Sequence, residues 1–278
     1  MARIGSVFAL GRRHLPKTPK EFAEAIEEGL RAFARRPQPM VTVRGQDLRA
    51  LDRIEADLSG ARIDPNYRPE LALPENAHPA VQARELSVIG EPLKIFERDL
   101  VFRLEATNVE LHQANAADGN LLLLMQRAEK GEIRISVTRT ELEQMIAAAA
   151  RFRAEKQGVT IEGVRLNLTQ HGPRVFDAMV TLTARKMFFR AALHLTGTVA
   201  LSDQLVATLS DLRCRGDGAI ATIACAAITP HFAHLEQRPF PLSAIPLGEA
   251  RLRDVALQIE GEQITASALF GSASVRPG

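Results

Sequence analysis

His231 and His234 stand three residues apart, a spacing that lets two imidazoles on one helical turn share a metal ion. Zinc enzymes of that kind carry His-Glu-x-x-His and a third ligand, whereas Glu236 is the only adjacent acid here. The pair therefore reads as polar residues at a helix end, and no metal is expected. Arg215-Gly216-Asp217-Gly218 has the letters of an adhesion tripeptide or a phosphate loop, but its glycines read as a turn in which Asp217 caps the following helix. Asn167-Leu168-Thr169 is a glycosylation sequon by letters and falls in mid-strand. No serine stands in a Gly-x-Ser-x-Gly elbow, and no two carboxylates pair beside an identifiable cleft. The expectation is a protein that is not an enzyme, without catalytic residues, metal or cofactor. One cationic group remains: Arg185, Lys186 and Arg190 can meet lipid headgroups at the rim of an apolar site, or form the solvated end of a strand turn.

Composition narrows the partners. With 35 Lys+Arg against 33 Asp+Glu the net charge is only +2, without the basic excess that nucleic-acid binding requires. Twelve Phe, the single Tyr67 and no Trp cannot make the stacking platforms of a single-strand binder. The two cysteines, Cys214 and Cys225, rule out a disulfide framework, and they read as lying on separate elements, a strand end and an apolar helix, so no bridge is expected. Near the N-terminus only residues 7–10 are continuously apolar, far short of the ~20 residues of a membrane span and shorter than the core of an export signal. On this reading the chain is soluble, cytoplasmic and without a membrane span.

The elements that must position any site fall into two parts. Nine of fifteen prolines precede residue 93, which sets an irregular N-terminal extension, residues 1–82, apart from a regular domain, residues 83–272. Thr18-Pro19-Lys20-Glu21 is a capping box opening an amphipathic helix with Phe22, Ile26, Leu30 and Phe33 on one side. That helix is expected to dock on its own domain or on a partner, including a second copy of the chain. A weak second helix is expected over residues 46–58, and Pro65, Pro69, Pro74 and Pro79 mark an extended connector.

Beyond residue 86 the text is periodic. Leu100, Phe102 and Leu104 alternate with polar residues until the parity shifts near Thr107, and Ile133, Ile135 and Val137 alternate again. Thr138-Arg139-Thr140-Glu141 opens a helix with a stripe of Leu142, Met145, Ile146, Ala149 and Phe152. Four strands follow: residues 159–170 with a parity switch at Gly163, then Phe176 to Ala184, Phe189 to Val199, and a fourth from Leu205. Each spans ~35–40 Å, long enough for the sheet to curl around something. The uncharged residues 218–229 read as a buried helix that Pro230 breaks, with Ile220 and Ile223 facing the interior. A hairpin turning at Glu260-Gly261-Glu262 closes the order. Strands, helix, four strands, helix and two strands make an α+β fold, a long curved antiparallel sheet wrapped around one or two helices, rather than a parallel α/β sheet.

Four stretches carry a resemblance. Ile89-Gly90-Glu91-Pro92-Leu93, Ile135-Ser136-Val137-Thr138-Arg139-Thr140-Glu141-Leu142, Gly158-Val159-Thr160-Ile161 and the late hairpin with Leu252, Val255 and Leu257 resemble the bacterial LmeA-like phospholipid-binding family of the tubular lipid-binding (TULIP) superfamily. The resemblance covers about two-thirds of the chain, residues 86–270, and departs from it in the N-terminal extension and the missing export signal. It implies a bent sheet around a long helix with an apolar groove for acyl chains. Met145, Ile146, Ala149, Phe152, Leu166, Leu193, Leu195, Ile220 and Ile223 are the expected lining. The expected partner is a phospholipid, fatty acid or other apolar small molecule, bound or carried without catalysis. The competing expectation is a scaffold in which the same fold is packed solid and the N-terminal arm binds a partner.

Overall fold

The computed structural model describes residues 7–65, 67, 76–116, 119–154, 159–186, 189–236, 238–242 and 248–272. It is an α+β structure, mostly sheet, and it divides into two compact units. One comprises residues 1–136, 243–255 and 266–278, and the other residues 137–242 and 256–265. The division thus falls at 136/137, and the N-terminal elements belong to the first unit rather than forming an arm. Most of the proline-rich connector, residues 66 and 68–75, lies outside the described residues.

An eleven-stranded sheet makes up most of the first unit, while residues 256–260 and 263–265 of its last two strands are counted in the second. Its strands are β1 (Val7–Ala9), β2 (Ala34–Arg35), β3 (Val41–Gly45), β4 (Leu51–Asp57), β5 (Arg62–Ile63), β6 (His78–Ile95), β7 (Arg98–Asn115), β8 (Leu121–Arg127), β9 (Lys130–Thr138), β15 (Arg251–Glu260) and β16 (Gln263–Gly271). The main path runs β15-β16-β9-β7-β6-β4-β3, and β4 and β5 each pair with β6 in parallel, so the sheet is mixed. Residues 46–58, expected as a helix, form a turn and β4 instead. Leu51, Ile54 and Leu58 fit a helical period, but Ile54, Ala56 and Leu58 also alternate, and burial beside β6 selects the strand. The parity shift near Thr107 is real: Asn108 sits at φ 48° in β7.

Across this sheet Ile54, Leu86, Ala106 and Gly131 form one row, each opposite the next. Gly131 is required there, because a Cβ would come within 2.2 Å of the Phe270 ring, which is 1% exposed over it. The same core receives α1 (Pro19–Arg31). Both halves of its capping box form, and Phe22, Ala25, Ile26, Gly29 and Leu30 are buried. From its polar side Glu27 accepts the N–H groups of Met40, at 2.7 Å, and Val41, at 3.0 Å. The apolar face of α1 is consumed within its own unit. The expectation that it holds a second copy or another protein therefore finds no free surface.

The second unit holds a five-stranded antiparallel meander, β10 (Thr160–Gly172), β11 (Val175–Lys186), β12 (Phe189–Leu201), β13 (Val206–Asp217) and β14 (Phe240–Pro241), in chain order. Two helices accompany it. α2 (Arg139–Ala154) packs on β10, and α3 (Ala219–Glu236) packs on β13 and the margin of β12. β10 to β13 run 12 or 13 residues, as their alternation predicts, and the pairing of β10 with β11 slips between Ile161 and Gly163. α3 continues through Pro230 instead of breaking. The helix bond that Pro230 lacks would end on Ala226, an exposed residue whose carbonyl water can satisfy.

Candidate functional site

Side chains alternate across a strand, so register decides which residues of the second unit share a face. Leu182 is opposite Leu193 and Val180 opposite Leu195, while Ala184 faces Ala191 and Phe176 faces Val199. On the β10 side Val164 and Leu166 meet Leu182 and Val180. On the β13 side Leu195 meets Cys214. One face of β10 to β13 is thus mainly Leu, Val, Ile, Ala and Phe, with Gln170 opposite Phe176 as a polar exception, and no charged side chain enters these pairs.

Both helices lie on this face, over its opposite margins. Ile146, Ala147, Ala150 and Ala154 of α2 pack with Ile161, Val164, Val180, Leu182 and Ala184. Two polar ties hold α2 beside β10: Glu143 accepts the Leu166 N–H at 2.6 Å, and Arg151 donates to the Ile161 carbonyl at 3.0 Å. At the other margin a disulfide joins Cys214 of β13 to Cys225 of α3. This corrects the expectation of two unlinked cysteines. The helix comes that close because β13 carries Gly216, where a Cβ would lie 2.2 Å from the Ala221 carbonyl carbon. A disulfide is characteristic of oxidising compartments and rare in the cytosol, so the cytoplasmic expectation loses its support. Among the described residues no helix is long and apolar enough to cross a membrane.

Between α2 and α3 the face is incompletely covered. Val180, Leu182, Leu193, Leu195 and Val199 remain half-buried, whereas Ile161, Val164 and Leu166 under α2 are buried. Of the expected lining, Ile146, Leu166, Leu193 and Leu195 come together here. Met145 and Ala149 are half-buried outside the α2 cluster, Phe152 is 53% exposed, and Ile223 is 70% exposed on the outside of α3. The side chains of Ile220 and Lys186 lie outside the described residues. Sequence reasoning missed Val180, Leu182 and the cysteine pair, although the alternation of β11 already placed the first two on the face.

The headgroup rim falls differently. Arg185 and Arg190 are directly opposite one another but have the other parity, on the polar face of the sheet. Both turn to Glu162, at 3.6 and 2.7 Å. That face is a ladder of hydroxyls, imidazoles and carboxylates. Thr181 Oγ1 lies 3.1 Å from His194 Nδ1, and His194 Nε2 lies 3.0 Å from Asp217 Oδ2. Asp217 is thus engaged with His194 in the strand ladder, where a helix cap was expected. Hydroxyl, imidazole and carboxylate stand in the order of a nucleophilic triad, on an open sheet face where the Asp217 side chain is 63% exposed. The arrangement works as cross-strand support.

Asp177 belongs to the same ladder. The Thr198 hydroxyl donates to it at 2.6 Å and His171 approaches at 2.7 Å; these contacts, Thr198 first, hold its carboxyl below the ordinary value. A lowered carboxylate pKa contributes stability that is complete above the unfolded value of about 3.9 and is lost as pH falls through the native one. Carbon-detected NMR titration of Asp177 should show Thr198→Val raising its pKa more than His171→Ala does. The reverse order would contradict this assignment.

Among the open depressions of the first unit are two of about 590 and 630 Å³. Their walls are charged on both signs, with Arg49, Arg84, Arg127, Glu110 and Glu129 around the smaller. Glu110 is engaged by His112 at 2.8 Å and Glu129 by Asn108.

No protein-family model matches the chain, and no curated protein matches it. Among solved structures, one described as the crystal structure of lipopolysaccharide binding protein gives a TM-score of 0.28 at 13% identity, covering 63% of this chain. The chain spans 55% of that protein's length. A likeness of this size fixes neither family nor ligand, and the assignment below rests on the second unit alone.

Proposed function

We propose that the chain binds a long-chain apolar molecule, a phospholipid or a fatty acid, without catalysis, against the apolar face between α2 and α3. One observation carries this: four long strands present a face made mainly of Leu, Val, Ile, Ala and Phe, and the middle of that face stays half-exposed. The middle of such a surface, from Val180 to Leu195, offers no side-chain hydrogen bond, so it suits hydrocarbon better than bases or sugars. Each methylene buried there contributes about 0.8 kcal/mol. The apolar positions of β11 from Phe176 to Ala184 span ~27 Å at strand rise, close to the ~30 Å hydrocarbon thickness of a whole bilayer and so ample for one acyl chain. A sheet curled around that chain, a carrier role and kinship with the phospholipid-binding family are the finer parts of the same proposal.

Displacement of a fluorescent fatty-acid analogue in lipid-free buffer tests it. Wild type should bind and be competed by unlabelled fatty acid, and Leu193→Asp should weaken binding at least about tenfold by placing a charge in the middle of the face. Native mass spectrometry after incubation with phospholipid vesicles should show a retained lipid mass. No bound probe and no lipid mass would reject the proposal.

A further inference from the structure

Where β1 ends, the chain stays against β8. The Leu10 N–H donates to the Leu121 carbonyl at 2.9 Å, and the Leu121 N–H donates to the Arg12 carbonyl at 2.6 Å. Leu121 is also the register partner of Asn115, so this clamp sets Arg13 and His14 beside the end of β7. Gln113 and Asn115 share one side of that strand. His78, the first residue of β6, stands directly opposite Gln113. Together with Asn76 these residues line an open depression of about 510 Å³, whose apolar lining includes the buried Ala114 and Leu121.

The polar lining has one chemical character, unlike the mixed-charge depressions described above. Arg13, His14, Asn76, His78, Gln113 and Asn115 supply guanidinium, imidazole and carboxamide N–H groups, and among the described residues no carboxylate lines the site. None of the six side chains has a hydrogen-bond or ion-pair partner among the described residues. Elsewhere the same groups are paired. His112, His171 and His194 each meet a carboxylate, at 2.8, 2.7 and 3.0 Å, and Arg12 holds Glu28 at 3.1 Å. Residues 10–20 add Arg12, Lys17 and Lys20 to Arg13 and His14, and contain neither Asp nor Glu. A guanidinium fork ringed by further N–H donors recognises a tetrahedral oxyanion, each of whose oxygens then finds a donor. A carboxylate brings only two oxygens to donors that come from three segments of chain. We propose that this depression binds a phosphate group, carried by a soluble phosphomonoester or by a phospholipid head. The site lies wholly within the first unit, and the proposal is independent of the apolar face of the second.

The histidines supply the reporter. Inorganic phosphate, titrated into the full chain at fixed pH and ionic strength, should move the imidazole NMR resonances of His14 and His78 to saturation. Those of His112, His171 and His194 should stay in place. Arg13→Gln should weaken the binding about tenfold, the scale of a hydrogen bond to a charged group. Arg44 of β3 is exposed and outside the depression, so Arg44→Gln should leave the binding unchanged. Glycerol 3-phosphate and dihexanoylphosphatidic acid separate the two sources of phosphate. Competition by the first at least equal to the second assigns a soluble phosphomonoester, and binding of the lipid at least about tenfold tighter assigns a headgroup. Resonances that do not move, or that follow chloride or acetate as strongly as phosphate, would overturn the proposal. Equal losses in Arg13→Gln and Arg44→Gln would overturn it as well, because net charge rather than a built site would then hold the anion.

Discussion

Replacing Phe22 with alanine is expected to destabilise the first unit by about 3–5 kcal/mol, the range for deleting a fully buried aromatic side chain. Phe22 has no exposed surface and stands one helical turn before Ile26, on the side of α1 that enters the core with Leu30. Its removal leaves a cavity that the sheet cannot fill, because a pleated surface pinned by cross-strand bonds moves little. The N-terminal turn of α1 should survive, since Thr18 and Glu21 cap it independently of packing. Hydrogen exchange gives a local reading: the amides of Met40 and Val41, whose acceptor is Glu27 on the same helix, should lose protection first. Phe152→Ala is the matched control. That ring is 53% exposed, so its removal should cost within about 0.5 kcal/mol. Equal effects of the two substitutions would mean that α1 is not docked as described.

Loss of the disulfide is the second large effect. Cys214 and Cys225 are 11 residues apart, and closing a loop of this size stabilises by about 2–3 kcal/mol through the unfolded chain. The double variant Cys214→Ser with Cys225→Ser should destabilise the second unit by that amount, and a reductant should bring wild type to the same level. The effect is expected to be local, with amide protection falling in α3 and β13 and holding in β4, β6 and β7. Oxidised wild type that unfolds no later than the double variant would show that the bond contributes nothing. Because the chain forms two compact units, the comparison belongs to each unit's own transition rather than to one overall midpoint.

The strands of the second unit were legible residue by residue, down to the slip at Gly163, because alternation is a local property of the chain. Faces were legible too, had parity been followed through the turn: Ala184 and Ala191 share the apolar face, so Arg185 and Arg190 cannot. The α1 capping box and apolar side were equally plain. Other features depend on what folds against what. Leu51, Ile54 and Leu58 satisfy two periods, and only β6 as a neighbour decides between them. An uncharged helix reads as buried when hydrophobicity alone is weighed, yet α3 buries Ala221 and Cys225 and leaves Ile223 outside. The disulfide was hidden for a related reason. Its formation depends on a strand and a helix turning back on each other at Gly216, a close approach that no composition signals. The boundary between units was misplaced because proline marks irregular chain, which is not the same as independence from a sheet.

Glu27 and Glu143 have a consequence for how the chain behaves in a crowd. β3 ends the path of the first sheet and β10 ends that of the second, and an end strand offers unpaired N–H groups to any extended segment that drifts past. At both ends a carboxylate from a helix already holds outward N–H groups: Met40 and Val41 in one sheet, Leu166 in the other. A foreign strand must displace an ionised acceptor before it can add a rung. These two glutamates thus act as stops against runaway sheet growth, a protection that a chain with such long, apolar strands needs while its concentration rises during synthesis.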